Sequence, residues 1–378
     1  MPDENETQRQ LTRLRSLLTE KGGSWRAGET SMSALSDAMF KRRLGARPTD
    51  GRTLADIERQ AAARSAALLA ERRAPGTPAA YDLRNVGGKN FITQIKDQGA
   101  CGSCVAFGVC AAMEGTLRVQ ENDPNLSIDL SEAHLFYCHG RAQGRNCDNG
   151  WIPDEALQAC QNAGIVDDAC YPYTAGDQDC TGRCSGWQQR LHKVTAFHTV
   201  SATADMKTWL STKGPLPACF VVYADFRHYR SGVYRHVSGE QLGGHCVSIV
   251  GYNDSDQCWI CKNSWGTGWG EDGFFKIGYG ECAIDTWQVC TVEGVTKPEE
   301  HHEEEGVWQR NRLVTALWCN GQPRNAWIYA DGLGWRRITP DSDVTFLNLL
   351  YQSAGAKAAR RRVNFFEERD TVKEIYVL

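Results

Sequence analysis

The segment Gln98-Gly-Ala-Cys-Gly-Ser-Cys-Val-Ala-Phe107 carries two cysteines where a glycine-punctuated stretch passes into a helix-like pattern that begins at Cys104. Gly99 and Gly102 permit a tight backbone approach at this point. A thiol at a helix N-terminus sits at the positive end of the macrodipole, which favours thiolate and lowers the pKa. The thiolate is the useful nucleophile. It needs a base, and the base needs a group to orient it. The chain offers nine histidines. Among them, His245 lies in Gly243-Gly-His-Cys-Val-Ser-Ile-Val-Gly-Tyr252, at the entry to a strongly apolar strand. Downstream, Lys262-Asn-Ser-Trp-Gly-Thr-Gly-Trp-Gly270 puts Asn263 at the end of another strand. Its amide oxygen can accept an imidazole N–H and hold the ring facing the sulfur.

These residues need a scaffold, and the composition bounds it. The chain has 378 residues, 41% apolar and 23% charged, as in an ordinary globular protein of two to three domains, which excludes disordered and collagen-like classes. A net charge of −4 provides no global basic field, so no nucleic-acid partner is expected. No apolar run approaches the roughly 18 to 20 residues of a membrane span, so no membrane partner is expected. Sixteen cysteines are many for this length. They favour an oxidising compartment, although the opening Met-Pro-Asp-Glu-Asn-Glu has neither the basic nor the apolar region of a secretory signal. A secreted or periplasmic location is the expectation, with the cytoplasm as the alternative.

Three zones follow along the chain. Residues 1–78 lack cysteine and hold two helical patterns, one with Leu11, Leu14, Leu17 and Leu18 at helical spacing and one over Leu54–Glu71. Neither stripe can enclose a core alone, so this zone must pack on something larger. Residues 79–296 hold fifteen cysteines. Helix-like segments come first (Cys104–Leu117, Ser131–Cys138, Pro153–Asn162). Strand-like runs come later, at Phe220–Tyr223, Cys246–Tyr252, Trp259–Lys262, Phe274–Ile277 and Asp285–Val292. This order predicts an α+β domain with segregated halves and a site in the cleft between them. An acidic linker, 297–306, leads to a small α+β module over 307–378, with a helix near Val344–Ala359 and a last strand at Glu374–Leu378. The module's tryptophans and tyrosines are assigned to its own core, with carbohydrate or protein recognition as the alternative.

The Cys-Gly-Ser-Cys motif, with His245 at 141 residues and Asn263 at 159 residues beyond Cys104, resembles that of papain-like cysteine peptidases. The resemblance covers about residues 79–296. It implies a two-lobed fold, a helical lobe beside a β-barrel-like lobe, and no cofactor or metal. It also implies an endopeptidase acting on protein or peptide substrates, with Cys104 as nucleophile, His245 as acid and base, and Asn263 orienting the imidazole. Trp265 would shield that pair, while Gln98 and the Cys104 backbone N–H would form the oxyanion hole. Gly150 would pair with extended substrate, and Gly102 and Gly244 would line the same cleft. Trp151 would flank the second specificity pocket, with Cys219 and Cys246 as its walls and Trp287 as its floor, favouring medium aliphatic P2 residues. Disulfides Cys101–Cys147 and Cys138–Cys180 follow from the resemblance; Cys160–Cys170 and Cys219–Cys246 are further candidates. Two departures stand out: Val105 replaces the usual Trp after the nucleophile, and Cys147-Asp-Asn-Gly150 replaces Cys-Asn-Gly-Gly. Residues 1–78 occupy the place of an inhibitory propeptide acting in cis. Met32–Leu44 is the segment expected to cross the cleft, and cleavage is expected near residues 72–80.

Other readings are weaker. Cys258-Trp-Ile-Cys261 has CxxC spacing, but in a strand its thiols face opposite sides and no second pair accompanies it. Arg360-Arg-Arg362 reads as a solvated face. A transpeptidase would use the same thioester, and an inactive peptidase-fold binding protein would not need Cys104, His245, Asn263 and Gln98 together.

Overall fold

The computed structural model describes residues 4–49, 51–70, 74, 76–298 and 306–378. Most of the acidic linker, His301 and His302 included, lies outside the described residues, as does part of the expected 72–80 cleavage region. The chain forms two compact units that divide between Pro298 and Glu299.

In the first unit, the N-terminal zone supplies α1 (Glu4–Glu20), β1 (Trp25–Ala27), α2 (Asp37–Lys41) and α3 (Leu54–Ala70). Then come β2 (Ala80–Asp82), α4 (Cys104–Gln120), a π-helical turn over His134–Gly140, and α5 (Pro153–Asn162). β3 (Lys193–Val194), β4 (Thr199–Val200) and α6 (Thr203–Thr212) lead to the long strands β5 (Leu216–Tyr223), β6 (Tyr229–Tyr234) and β7 (Gln241–Asn253). β8 (Cys258–Lys262), β9 (Phe274–Gly278), β10 (Gln288–Cys290) and β11 (Val295–Thr296) close the unit. The order β1-β6-β9-β8-β7-β5-β10-β4 makes one large sheet, with β2 pairing the far end of β7. α4 and α5 precede the long strands β5–β9 as the sequence predicts, while β2 comes before them and α6 falls among the strands.

Two buried clusters meet at the site. One is aromatic and sheet-based, around Phe220, Phe226, Tyr229, Trp265, Trp269 and Phe275. The other surrounds α4, whose residues Cys104–Val109 are all buried. The N-terminal zone has no core of its own, as expected: Leu11, Leu14 and Leu18 join the sheet cluster, and Ile57 and Ala61 join the helical one. β1 extends the sheet by pairing antiparallel with β6.

Cys101–Cys147 and Cys138–Cys180 are bonded, and a third disulfide joins Cys170 to Cys184. The Cys160–Cys170 expectation is therefore corrected. Cys160 faces the core of α5 as a free buried thiol, while Cys184 reaches Cys170 across 4.8 Å between Cα atoms. Cys219 and Cys246 are direct partners across β5 and β7 yet remain free thiols. Cys258 and Cys261 are also free and buried.

The second unit contains β12 (Val307–Cys319), β13 (Ala326–Ala330), β14 (Gly334–Ile338), α7 (Asp343–Ala359), β15 (Arg362–Glu368) and β16 (Thr371–Val377). Its strands close into a barrel in the order β12-β13-β14-β16-β15, with β14 and β16 parallel. With α7 between the third and fourth strands, this is the connectivity of an OB-fold, a five-stranded Greek-key barrel. Val314, Ile328, Ile338, Val363, Phe365 and Val372 fill its interior. The aromatic residues assigned to this core lie mostly outside it: Trp318, Trp335 and Tyr376 are 47%, 44% and 56% exposed. The narrow barrel admits Ala326, Ile328 and Ala330 from alternate positions of β13 and turns Trp327 and Tyr329 outward.

Candidate active site

Cys104 opens α4 and is fully buried. The loop before it is tied together by Tyr173, whose hydroxyl donates to the Gln98 carbonyl and meets the Ser103 hydroxyl, both at 2.8 Å. The Cys101–Cys147 disulfide fixes the same loop to the segment that carries Gly150 and Trp151. His245 stands on β7 opposite Phe220 of β5. Its Nε2 donates to Asn263 Oδ1 at 2.8 Å, which fixes the tautomer and aims Nδ1 away from Asn263. Trp265 lies over the imidazole with ring centroids 4.7 Å apart, and is itself backed by Trp269 at 4.9 Å. His245, Asn263 and Trp265 are all buried. Gln98 is held by its own oxygen, which accepts from Ser264 Oγ at 2.7 Å, so its Nε2 donates to Cys101 O at 2.7 Å and to Arg43 O at 3.0 Å.

That last partner belongs to the N-terminal zone, which passes directly over the site. Trp151 N donates to Gly45 O at 2.8 Å, Arg47 N to Trp151 O at 3.1 Å, and Ala46 N to Gly244 O at 3.0 Å. A short ladder thus clamps Arg43–Arg47 between Gly150–Trp151 on one side and Gly244 on the other. The approach is close enough to exclude side chains. A Cβ on Gly45 would lie 1.8 Å from Gly102 O, and one on Gly244 would meet Ala46 O and the Trp287 ring, each at 2.4 Å. Gly150 lies directly beneath the Gly45 carbonyl. Phe40 of α2 packs edge-on against Trp265 at 5.2 Å, and Arg43 pairs with Asp97 at 2.7 Å. The crossing therefore falls at the end of the expected Met32–Leu44 segment and runs past it through Gly45, Ala46 and Arg47.

Enclosure sets the protonation states. Burial, with the Cys246 thiol adding to it, pushes the Cys104 thiol up to about 12. Burial also pulls the His245 imidazole down to about 4, against the hydrogen bond to Asn263 that favours its charged form. With the crossing segment in place, neutral thiol and neutral imidazole are the favoured pair.

The profile described as papain family cysteine protease matches residues 77–292, more than half of the chain. The chain belongs to the papain family of cysteine proteases. A cathepsin B-like protein, CP2, of Giardia intestinalis is 36% identical over 222 residues, covering 55% of this chain and 72% of the relative. A gut-specific cysteine proteinase of Caenorhabditis elegans is 33% identical over 241 residues, 56% and 73% of the two chains. Among solved structures, procathepsin B S9 from Trypanosoma congolense superposes with a TM-score of 0.60 at 26% identity, covering 75% of this chain and 96% of that one. A digestive procathepsin L 3 from Tenebrio molitor shares the fold, with a TM-score of 0.60 at 22% identity. This protein is accordingly a cysteine peptidase made as a proform, with its propeptide in cis.

In this papain-family fold the expected pocket residues Trp151, Cys219, Cys246 and Trp287 all lie in one buried cluster, which also holds Ala46 and Ala283. Trp151 meets the crossing segment through its backbone. Its indole is turned into the helical lobe against Phe136, with Nε1 donating to Gln143 and Glu155. Ser264, Tyr173 and Phe40 are positioning residues that the sequence reading missed. Ser264 and Tyr173 each stand near a motif residue, but nothing in their type signals whom they touch.

Proposed function

We propose that the chain is a cysteine endopeptidase in which Cys104, His245 and Asn263 act as the triad and Gln98 supplies the oxyanion-hole side chain, held latent by residues 1–78. The boundaries of this reading are a propeptide over 1–78, a peptidase domain over 79–296, a linker over 297–306 and an accessory module over 307–378. One observation carries it: Gln98 Nε2 donates to a peptide carbonyl, that of Arg43, while the same backbone crosses between the Cys104 loop and His245. A group arranged to receive one peptide carbonyl can receive another whose oxygen gains charge.

Once residues 1–78 leave, water returns to Cys104 and His245, and the burial that disfavours both charges is relieved. The thiol proton passes to His245 Nδ1, and the α4 N-terminus favours the resulting thiolate. The thiolate sulfur attacks the scissile carbonyl carbon, and Gln98 Nε2 with the Cys104 N–H stabilises the oxyanion. The His245 imidazolium gives its proton to the leaving amine. Water, deprotonated by His245, then cleaves the thioester and regenerates the thiol. The Trp287 ring, which lies with the Ala46 carbonyl against Gly244, supports an apolar P2 pocket suited to medium aliphatic side chains. Three disulfides support an extracytoplasmic location.

An epoxysuccinyl inhibitor tests this reading. Chain trimmed of residues 1–78 should be labelled about 10- to 1000-fold faster than full-length chain, the inverse of an open population of about 0.1–10%. Cys104→Ala should abolish labelling in both. Equal rates in the two forms would remove the latency assignment, and labelling of Cys104→Ala would remove the nucleophile. In trimmed enzyme, Gln98→Ala should lower kcat about 10²- to 10³-fold with little change in KM. A loss confined to KM would instead make Gln98 a ground-state binding residue.

A further inference from the structure

The barrel of residues 306–378 presents one face that its own fold does not use. Along β12, β13 and β14, Trp318 stands opposite Trp327, Tyr329 opposite Trp335, and Trp327 opposite Arg337. Trp318, Tyr329 and Trp335 are 47%, 39% and 44% exposed. Trp318, Asn325, Trp327 and Trp335 line an open cleft of about 560 Å³. Its walls are set in place before any ligand arrives. Trp327 Nε1 donates to Asn325 Oδ1 at 3.2 Å, and Asn325 Nδ2 donates to Asn320 Oδ1 and Gln322 Oε1, both at 3.0 Å. Tyr329 and Trp335 brace each other edge to face at 5.4 Å. Three indoles in so small a surface form a contiguous aromatic patch of the kind that marks a recognition site.

The charges decide what the patch can recognise. Residues 306–378 contain 11 Lys and Arg against 7 Asp and Glu, a net of 11 − 7 = +4. A polyanion needs a track of free cations beside its stacking platform. Here Arg324 is engaged by Asp343, Arg336 by Glu367 and Asp370, and Lys373 by Asp341. On the aromatic face itself, Arg337 is the cation without an ion pair among the described residues. Its Nε is covered by protein yet has no hydrogen-bond partner. The face thus alternates flat, electron-rich rings with amides and one guanidinium, and it has little net charge.

From this chemistry we infer that the C-terminal barrel binds a neutral oligosaccharide across Trp318, Trp327 and Trp335. A pyranose ring is apolar on its faces, where C–H hydrogens carry small positive charge suited to an indole face. Its hydroxyls lie around the edge, within the reach of amide and guanidinium groups. Rigid indoles lose little freedom on binding, so such a surface holds a sugar chain without reorganising. The module then brings the peptidase to glycan-bearing substrates.

Full-length chain carrying Cys104→Ala, which prevents proteolysis, is titrated with chitohexaose, cellohexaose and a single-stranded oligothymidylate while tryptophan fluorescence is followed. At least one hexasaccharide should bind, with affinity unchanged between about 50 and 200 mM salt. Trp318→Ala and Trp335→Ala should each weaken it by about tenfold or more, whereas Trp335→Phe should stay within about threefold and so separate lost stacking from lost folding. Absence of binding to both sugars overturns the inference. So does binding that neither alanine variant alters. Binding of the oligothymidylate alone, falling steeply with salt, would make the patch a nucleic-acid site instead.

Discussion

Gly45→Val should open the active site of the full-length chain. A Cβ at this position would stand 1.8 Å from the Gly102 carbonyl oxygen, a backbone atom that cannot rotate aside. The neighbouring contacts are equally rigid: Gly45 O takes the Trp151 N–H, and Ala46 N donates to Gly244 O. Relief therefore requires lifting the Arg43–Arg47 segment as a unit, which also withdraws Arg43 O from Gln98. Overpacking of this kind costs about 1–3 kcal/mol, which multiplies the open population by roughly 5 to 150. Iodoacetamide should alkylate Cys104 faster by that factor. The direction is reinforced by protonation, because each opened molecule relieves the burial that holds Cys104 near 12 and His245 near 4. The helices on either side, with Phe40 against Trp265 and Ile57 buried beyond, should keep the zone attached, so trimmed chain sets the upper limit. A variant that folds and is alkylated at the wild-type rate would show that latency does not reside in this crossing.

How much of this was legible before the structure depends on which atoms carry each feature. Cys104, His245 and Asn263 do their work through side chains of obligatory type, so their motifs stand out, and the structure brings His245 and Asn263 within 2.8 Å. The crossing segment works through carbonyls and amides; its one compositional trace is Gly45, a residue that occurs throughout the chain for other reasons. β1 is three residues long and acquires its strand character only by pairing with β6, which no local pattern encodes. Cysteine spacing likewise does not specify partners, so a local Cys160–Cys170 pairing reads as well in the sequence as the Cys170–Cys184 bond that the loop makes. In the barrel, Ala326-Trp-Ile-Tyr-Ala330 alternates two apolar faces, and alternation alone does not say which face turns inward. Barrel radius decides it. The small residues go inside, and the large aromatics are left where a ligand can reach them.

Lys96→Met should destabilise the first unit by about 3–5 kcal/mol at pH 8, the usual result of removing one partner from buried charges. Lys96 Nζ lies 2.8 Å from Glu132, 2.5 Å from Asp129 and 3.5 Å from Glu114, and it donates to Leu130 O at 3.0 Å. Glu114 and Glu132 are almost wholly enclosed, with side chains 1% and 2% exposed. Thr93 bridges the set, donating to Glu114 and accepting from Lys262 Nζ. The network therefore joins Lys96, two residues before Gln98, to Lys262, the residue before Asn263, by way of α4. Without Lys96, two buried carboxylates face Lys262 alone. Its loss also sets the pH dependence. Burial holds the Glu132 carboxyl up near 7 even with Lys96 opposing it, and the same lysine helps hold Glu114 low. In the variant both folded-state values rise. An acid whose folded pKa exceeds its ordinary value of 4.5 loses stability as the pH climbs from there through the folded value. The deficit of Lys96→Met relative to wild type should accordingly be smaller at pH 5 than at pH 8, as read from urea unfolding with disulfides intact. Adding Glu132→Leu, which removes the stranded carboxylate, should recover part of the loss. Equal deficits at the two pH values, or no recovery in the double variant, would mean that Lys96 acts through packing of its stem and not through its charge.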